Sequence, residues 1–293
     1  MAAGGTQRSG EAKARGARKA KAKPTRARRQ TMASQADKYL LYQRAVQEPD
    51  ADLNFVTRVF KKRFGRAPRL LREDFCAAAN TACHWVRRHR ENVAWGVDLD
   101  PEPLAWGKKN NAERLLDPAQ RERLHLIQGD VLEPREPKVE VVLAQNFSYF
   151  LFDTRPALRR YFEVARAGLQ DEGLLVLDLY GGPDAQRMGE EVTDHGAFDY
   201  VWDQAHYDAI TNRSVCHIHF RFPDKSELRR AFTYSWRLWT IPEVRELLEE
   251  AGFRVTEAYW EGTTPEGEGD GVYRLRTSAE NEDAWLAYVV AVK

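Results

Sequence analysis

Acidic side chains stand where short apolar runs end. Glu73 and Asp74 follow Leu70 and Leu71, Asp98 closes the run 93–97, and Gly129-Asp130-Val131 follows the run 124–127. A fourth run, 139–144, leads into Asn146-Phe147-Ser148-Tyr149, which places an amide and a phenol at the equivalent position. Carboxylates gathered in one crevice repel each other, so the pattern is costly unless a cationic or donor-rich ligand uses it. His217 and His219 fall on one face of an extended stretch, as metal ligands do. No third ligand accompanies them, no metal is expected, and they are read as lining a substrate pocket with Tyr180, Trp202, Tyr234 and Trp236. Cys76, Cys83 and Cys216 make no C-x-x-C pair, which points to a reducing compartment without a zinc ribbon.

The elements that position these groups alternate. Residues 36–64 read as a helix, 69–75 as a strand, 78–89 as a helix and 92–99 as a second strand. Asp100 then caps a helix with Pro101 in its first turn, which accounts for Asp100 without a role in the site. Strands at 124–127, 139–144 and 174–179 follow, the last two separated by a helix that Thr154 caps. Such a rhythm is that of a doubly wound parallel α/β sheet, where ligands bind at the carboxyl ends of the strands. After Gly181-Gly182-Pro183 it breaks. Three extended stretches, 200–207, 214–222 and 227–236, read as an inserted antiparallel meander. A capping box at Thr240 opens a helix, and 253–259 and 285–292 supply two last strands joined by a Gly- and acid-rich loop over 261–271. The expected divisions are a tail (1–35), a core (36–182), a β insertion (183–240) and a closing helix and strand pair (241–293).

Charge is segregated along the chain. The 293 residues carry 45 Lys+Arg and 44 Asp+Glu, a net charge of +1, yet residues 1–30 hold ten basic groups and one acid. The tail is therefore +9, and the other 263 residues, with 35 basic and 43 acidic groups, are −8. A tail of Ala, Gly, Lys and Arg has nothing to bury and is expected to be disordered. An acidic body disfavours nucleic acid on the core, so that any weak contact with nucleic acid would come through residues 1–35. There is no apolar run long enough for a membrane span and no apolar leader, so a cytoplasmic protein without a membrane partner is expected. Oligomeric state is not encoded in these patterns.

In order and spacing these motifs resemble those of the class I S-adenosylmethionine-dependent methyltransferases, over roughly residues 36–293. The resemblance implies a seven-stranded Rossmann-like sheet with an antiparallel β cap, S-adenosyl-L-methionine as cofactor and a small-molecule methyl acceptor. It makes Glu73 the acid that faces the methionine amino group, and Phe75, Cys76 and Ala77 part of the loop beneath the cofactor. Asp98, with Leu99 beside it, matches the acid that accepts both ribose hydroxyls, and Asp130 and Val131 match the pair that reads the adenine. Tyr39 and Tyr42 resemble the aromatic residues that a leading helix lays across the cofactor, where a π-face suits a sulfonium. Asn146 and Tyr149 correspond loosely to the Asn and Tyr of the amino-group methyltransferase motif Asn-Pro-Pro-Tyr, without its prolines, and are expected to position the acceptor, with Asn146 also counted among the residues that wall the cofactor. The family usually writes the first loop with glycines. Here Cys76 is followed by three alanines, and cofactor binding is expected to persist with reduced affinity. The implied reaction is methyl transfer to N, O or C of a small molecule by in-line displacement. Two alternatives are an RNA or ribonucleoprotein methyltransferase recruited by the tail, and a non-catalytic cofactor-binding or interaction protein.

Overall fold

Pro49 divides the leading helix, because the residue before a proline is pushed out of the α region. In place of one helix over 36–64 there are α2 (Lys38–Val46) and α3 (Pro49–Phe64), preceded by a single turn, α1 (Met32–Gln35). The structure, a computed structural model, describes residues 30–264 and 269–293. The basic run before residue 30 lies outside the described residues. Residues 31–35, assigned from sequence to the disordered tail, are ordered instead. Thr31 and Ser34 form a capping box, and the Met32 and Ala33 N–H groups donate to Asp224 (2.9 Å) and Ser226 (3.0 Å) at the tip of a hairpin in the insertion.

The core follows in chain order as β1 (Leu70–Asp74), α4 (Asn80–Arg88), β2 (Val93–Asp98) and α5 (Pro101–Gly107). A wide turn at Lys108–Ala112 leads to the short α6 (Glu113–Leu115) and α7 (Pro118–Arg121). Then come β3 (Leu124–Gln128), β4 (Val139–Ala144), α8 (Arg155–Ala167) and β5 (Leu169–Gly181). The insertion is β6 (Gly189–Asp194), β7 (Asp199–Asp208), β8 (Arg213–Arg221) and β9 (Glu227–Arg237). The chain closes with α9 (Ile241–Glu250), β10 (Val255–Thr263), β11 (Gly269–Arg276) and β12 (Trp285–Val292).

The main sheet has the order β11-β10-β12-β5-β4-β1-β2-β3. β3 through β5 are parallel in this order, and β12, β10 and β11 add antiparallel strands. It thus has eight strands where seven were expected, because the loop assigned to 261–271 is the hairpin between β10 and β11. The insertion likewise has four strands, not three. β6, Gly-Glu-Glu-Val-Thr-Asp, is exposed at every residue and has no apolar alternation to announce it. Among the described residues no helix is long and apolar enough to cross a membrane.

Two apolar layers cover the main sheet. Leu53, Phe60, Trp85 and Leu104 from α3, α4 and α5 pack on one face, and Leu158, Phe162 and Leu247 from α8 and α9 on the other. The insertion is pinned to the core at its last strand. Trp239 donates its indole N–H to the Phe152 carbonyl (3.1 Å) beneath the Arg237 guanidinium, and Arg213 pairs with Asp153. Charge within the acidic body is uneven. A groove of about 770 Å³ is lined by Arg58, Lys61, Lys62, Arg69 and Arg88 and by no carboxylate.

Beneath the sheet's carboxyl edge, Arg72 and Asp74 form a buried two-point pair (2.7 and 3.0 Å), and Tyr161 donates to the same carboxylate (3.0 Å). Breaking a buried pair leaves an uncompensated charge. Arg72→Met is therefore expected to cost about 3–5 kcal/mol in urea unfolding, and adding Asp74→Leu to recover most of that loss.

Candidate active site

The loop leaving β1 is bent by three non-glycine residues in the left-handed region: Phe75 (φ 57°), Ala77 (φ 46°) and Ala79 (φ 52°). Each costs on the order of 1 kcal/mol relative to an ordinary backbone, so neighbours must hold the loop. Cys76 donates its N–H to the Val97 carbonyl (3.0 Å), Ala77 donates to Asp98 Oδ2 (2.7 Å), and Ala79 to the Cys76 carbonyl (2.6 Å). Asn111 Nδ2 donates to the Ala78 carbonyl (2.8 Å), and a Cβ at Gly107 would overlap that same carbonyl, so α5 can approach only as glycine. The Phe75 ring packs on Tyr161 (5.4 Å) and is half-buried, and the Cys76 thiol is buried.

Each of the strand-end carboxylates already has a partner inside the protein. Asp98 accepts from Ala77 and, through its other oxygen, from the Asp100 N–H (2.9 Å), and burial pushes its pKa up. The Asp98 carbonyl accepts from Gly129 (2.9 Å), which brings the ends of β2 and β3 together. There Asp130 accepts from the Leu132 N–H (2.9 Å), Val131 is buried, and Leu99 stands 69% exposed, an apolar side chain with nothing over it. Glu73 and Asp74 alternate, as neighbours in a strand must. Asp74 turns down to Arg72, while Glu73 turns to the Ala82 N–H (2.8 Å) in the first turn of α4. Burial lifts Glu73 from 4.5 to about 8.

Two further acids belong here that sequence reasoning missed. Asp178, in the middle of β5, accepts the N–H groups of Asn146 (2.7 Å) and Phe147 (3.0 Å), both left-handed with φ of 55° and 58°. Burial pushes it to about 7. Asp52 of α3 accepts from the Tyr288 hydroxyl, is raised by burial, and shares its field with both Glu73 and Asp178. The available signal was Asp178 itself, the one charge in the apolar run 174–179, since buried charges are kept only where they are bonded.

Above the loop lies α2. Asp37 caps it and accepts the Trp106 indole N–H (2.7 Å). Tyr39 donates to Glu102 (2.9 Å), and Lys38 pairs with the same carboxylate (3.3 Å). The opposite side of α2 sinks Leu41 and Tyr42 into the insertion sheet against Ile218, Phe220 and Phe232. The helix thereby spans from α5 to the insertion. Under it is a cavity of about 160 Å³ walled by Tyr42, Phe147, Tyr180, Trp202, Tyr234 and Trp236, with Asn146 at its edge. Among the described residues the Asn146 side-chain amide has no partner, so it is available to a ligand.

Three sequence assignments fall outside this cavity. Tyr149 is wholly buried against Phe150 and Phe162 and cannot position an acceptor. His217 and His219 alternate with Ile218, and register places Ile218 opposite Trp202 on the cavity face and His217 opposite Asp203 on the reverse. There His217 bonds Thr233 (2.9 Å), and His219 lies 3.1 Å from Asp203 with Glu190 close by. His219 Nδ1 accepts the Arg230 N–H (2.7 Å), which puts the ring proton on Nε2, facing Asp203. That tautomer presents a proton, not a lone pair, to the space among these three residues.

No protein-family model matches the chain, and no curated protein matches it. Solved structures do. An S-adenosylmethionine-dependent methyltransferase from Clostridium acetobutylicum superposes with a TM-score of 0.63 at 13% identity, over 87% of this chain and 97% of that one. The S-adenosylmethionine-bound amino pentose methyltransferase CalS10 from Micromonospora echinaspora gives 0.60 at 14% over 86% and 95%. The sugar N-methyltransferase KedS8 from Streptoalloteichus gives 0.57 at 18% over 93% and 98%. The fold is that of the class I S-adenosylmethionine-dependent methyltransferases.

Both raised acids contribute stability below their ordinary pKa values and lose it as pH rises through about 7 for Asp178 and about 8 for Glu73. Thermal unfolding should therefore show stability falling from mildly acidic to mildly alkaline pH, with a shallower fall in Glu73→Gln. Relief of the left-handed Ala77 by Ala77→Gly should stabilise the protein by up to about 1 kcal/mol in denaturant titration.

Proposed function

We propose that this protein transfers a methyl group from S-adenosyl-L-methionine to an amine nitrogen of a small molecule. The loop 75–79, Asp98 with Leu99, and Asp130 with Val131 would hold the cofactor, which supplies a methyl group activated by the sulfonium. The residues fit that group in two ways. Leu99 is an uncovered apolar side chain beside two strand-end acids, and the cluster of Asp52, Glu73, Asp98 and Asp178 has raised pKa values that a cation would relieve. Tyr39 and Tyr42 on α2 would close the site from above.

The cavity lining carries the choice of nitrogen. It contains aromatic rings, Val46, Ile218 and the Asn146 amide, and no carboxylate, imidazole or ammonium. Burial pushes the hydroxyls of Tyr42, Tyr180, Tyr200 and Tyr234 above their ordinary value, so none serves as a base at neutral pH. An alcohol or carbon acid must lose a proton as it attacks and needs a base within hydrogen-bond reach. An amine that enters unprotonated needs none, and its product cation is favoured by the surrounding π-faces. The Asn146 amide oxygen would accept from the amine and aim its lone pair, while the aromatic walls exclude water. The named activities of KedS8 and CalS10, sugar N-methylation and amino pentose methylation, support the same reading.

The test is incubation with methyl-labelled S-adenosylmethionine and panels of amines, matched alcohols and RNA. Label in amines alone is expected; label in RNA that disappears on deleting residues 1–29 would establish the tail-recruited alternative instead. No product despite tight cofactor binding would leave a non-catalytic protein. Asn146→Ala should lower kcat by about a hundredfold with cofactor affinity unchanged. Calorimetry in buffers of differing ionisation enthalpy should show protons released when S-adenosylmethionine binds, as its positive charge lowers Glu73 and Asp178.

A further inference from the structure

The aromatic cavity is too small for a whole acceptor. Its volume of about 160 Å³ accommodates a substituted nitrogen and a few neighbouring atoms, whereas small-molecule pockets begin at about 300 Å³. Tyr180 and Trp202, which wall it, also line a second, open cleft of about 740 Å³ between β6, the end of β5 and the β10–β12 side of the main sheet. The two spaces therefore adjoin, and the remainder of an acceptor held in the first would extend into the second.

The cleft combines indole surfaces with negative charge. Trp260 and Trp285 lie 4.9 Å apart, tilted by 40°, and join Trp202 in its wall. Trp285 pairs in register with Gly181 and rests on it, where a Cβ would overlap the indole, so this glycine lets the ring reach the cleft. The lining carries five carboxylates, Asp184, Glu190, Glu191, Glu261 and Glu282, against one basic residue, Arg187. Three of the acids are engaged: Asp184 with Arg187 (2.5 Å), Glu190 with Arg221 (2.6 Å), and Glu261 with the Gly271 N–H (2.8 Å). Among the described residues the carboxylates of Glu191 and Glu282 have neither an ion pair nor a hydrogen bond, and Glu191 pairs in register with Trp202, on the same face.

We propose that this cleft binds the body of the acceptor and that the body is an organic cation, carrying positive charge beyond the nitrogen that is methylated. The proposal rests on the methyl-transfer reading above. Tryptophan faces attract cations, and the unpaired carboxylates add to that attraction, while a phosphate- or carboxylate-bearing body meets the same charges as repulsion. Specificity then comes from two places: the cavity admits the nitrogen, and the cleft selects the charge of what is attached to it.

Three probes with one frame and different charge decide the matter: tryptamine, tryptophol and indole-3-acetate, titrated calorimetrically into the full chain. Tryptamine should bind about tenfold more tightly than tryptophol, indole-3-acetate most weakly, and the tryptamine advantage should shrink with added salt. Glu191→Gln with Glu282→Gln should abolish the difference between tryptamine and tryptophol, Trp260→Ala should weaken both, and S-adenosylmethionine binding should be unchanged in all variants. Equal binding of the three probes, or a charge preference that survives the double substitution, overturns the proposal. Absence of cofactor binding in the unaltered protein overturns the methyl-transfer reading instead, and the indole titrations distinguish the two failures because they need no cofactor.

Discussion

A single buried carboxylate organises the centre of the molecule. Asp178 sits in a buried apolar stretch of β5, where an ionised acid is costly, and it is retained because it accepts the two N–H groups of a left-handed turn. That turn does two jobs. Its backbone closes β4 beside the loop 75–79, and its side chains, Asn146 and Phe147, form the edge and wall of the aromatic cavity. The end of β4 and the cavity are thus fixed to one another by a single side chain from the neighbouring strand β5. Desolvation raises both Asp178 and Glu73, so the acids around this turn hold their protons well above the usual carboxylate range.

Most of the core was legible because its signals are periodic. The apolar runs that became β1, β4 and β5, and the caps at Asp100, Thr154 and Thr240, are local patterns and fall where expected. What escaped is what local pattern cannot carry. β6 and β11 are edge strands whose residues are largely solvated, so they lack the alternation that burial imposes. Strand parity placed His217 and His219 on a common face, but only the register with β7 and β9 showed that face to be the reverse of the cavity. Tyr149 illustrates the same limit: a phenol next to a functional turn looks available until a 3₁₀ turn rotates it into the core.

The loop 75–79 takes a left-handed course without a single glycine. Its three left-handed positions carry Phe and Ala, and the required shape is imposed from outside by Asp98, Asn111 and the absence of a side chain at Gly107. Glycine makes such a shape inexpensive locally; here the tertiary structure offsets the cost, and the shape survives.

The helix α2 completes the aromatic cavity from outside the insertion. Tyr42 comes from the N-terminal segment, Tyr180 from the core, and Trp202, Tyr234 and Trp236 from the β sheet inserted more than a hundred residues later. α1, anchored on the tip of the β8–β9 hairpin, and α2, sunk into the same sheet, make residues 31–46 and the insertion one packed body. The aromatic cavity is therefore assembled from three pieces of chain. A graft that moved residues 189–237 alone onto another core of this fold would carry only part of it, and the exchangeable unit must include residues 31–46 and keep the aromatic rings of Phe147 and Tyr180.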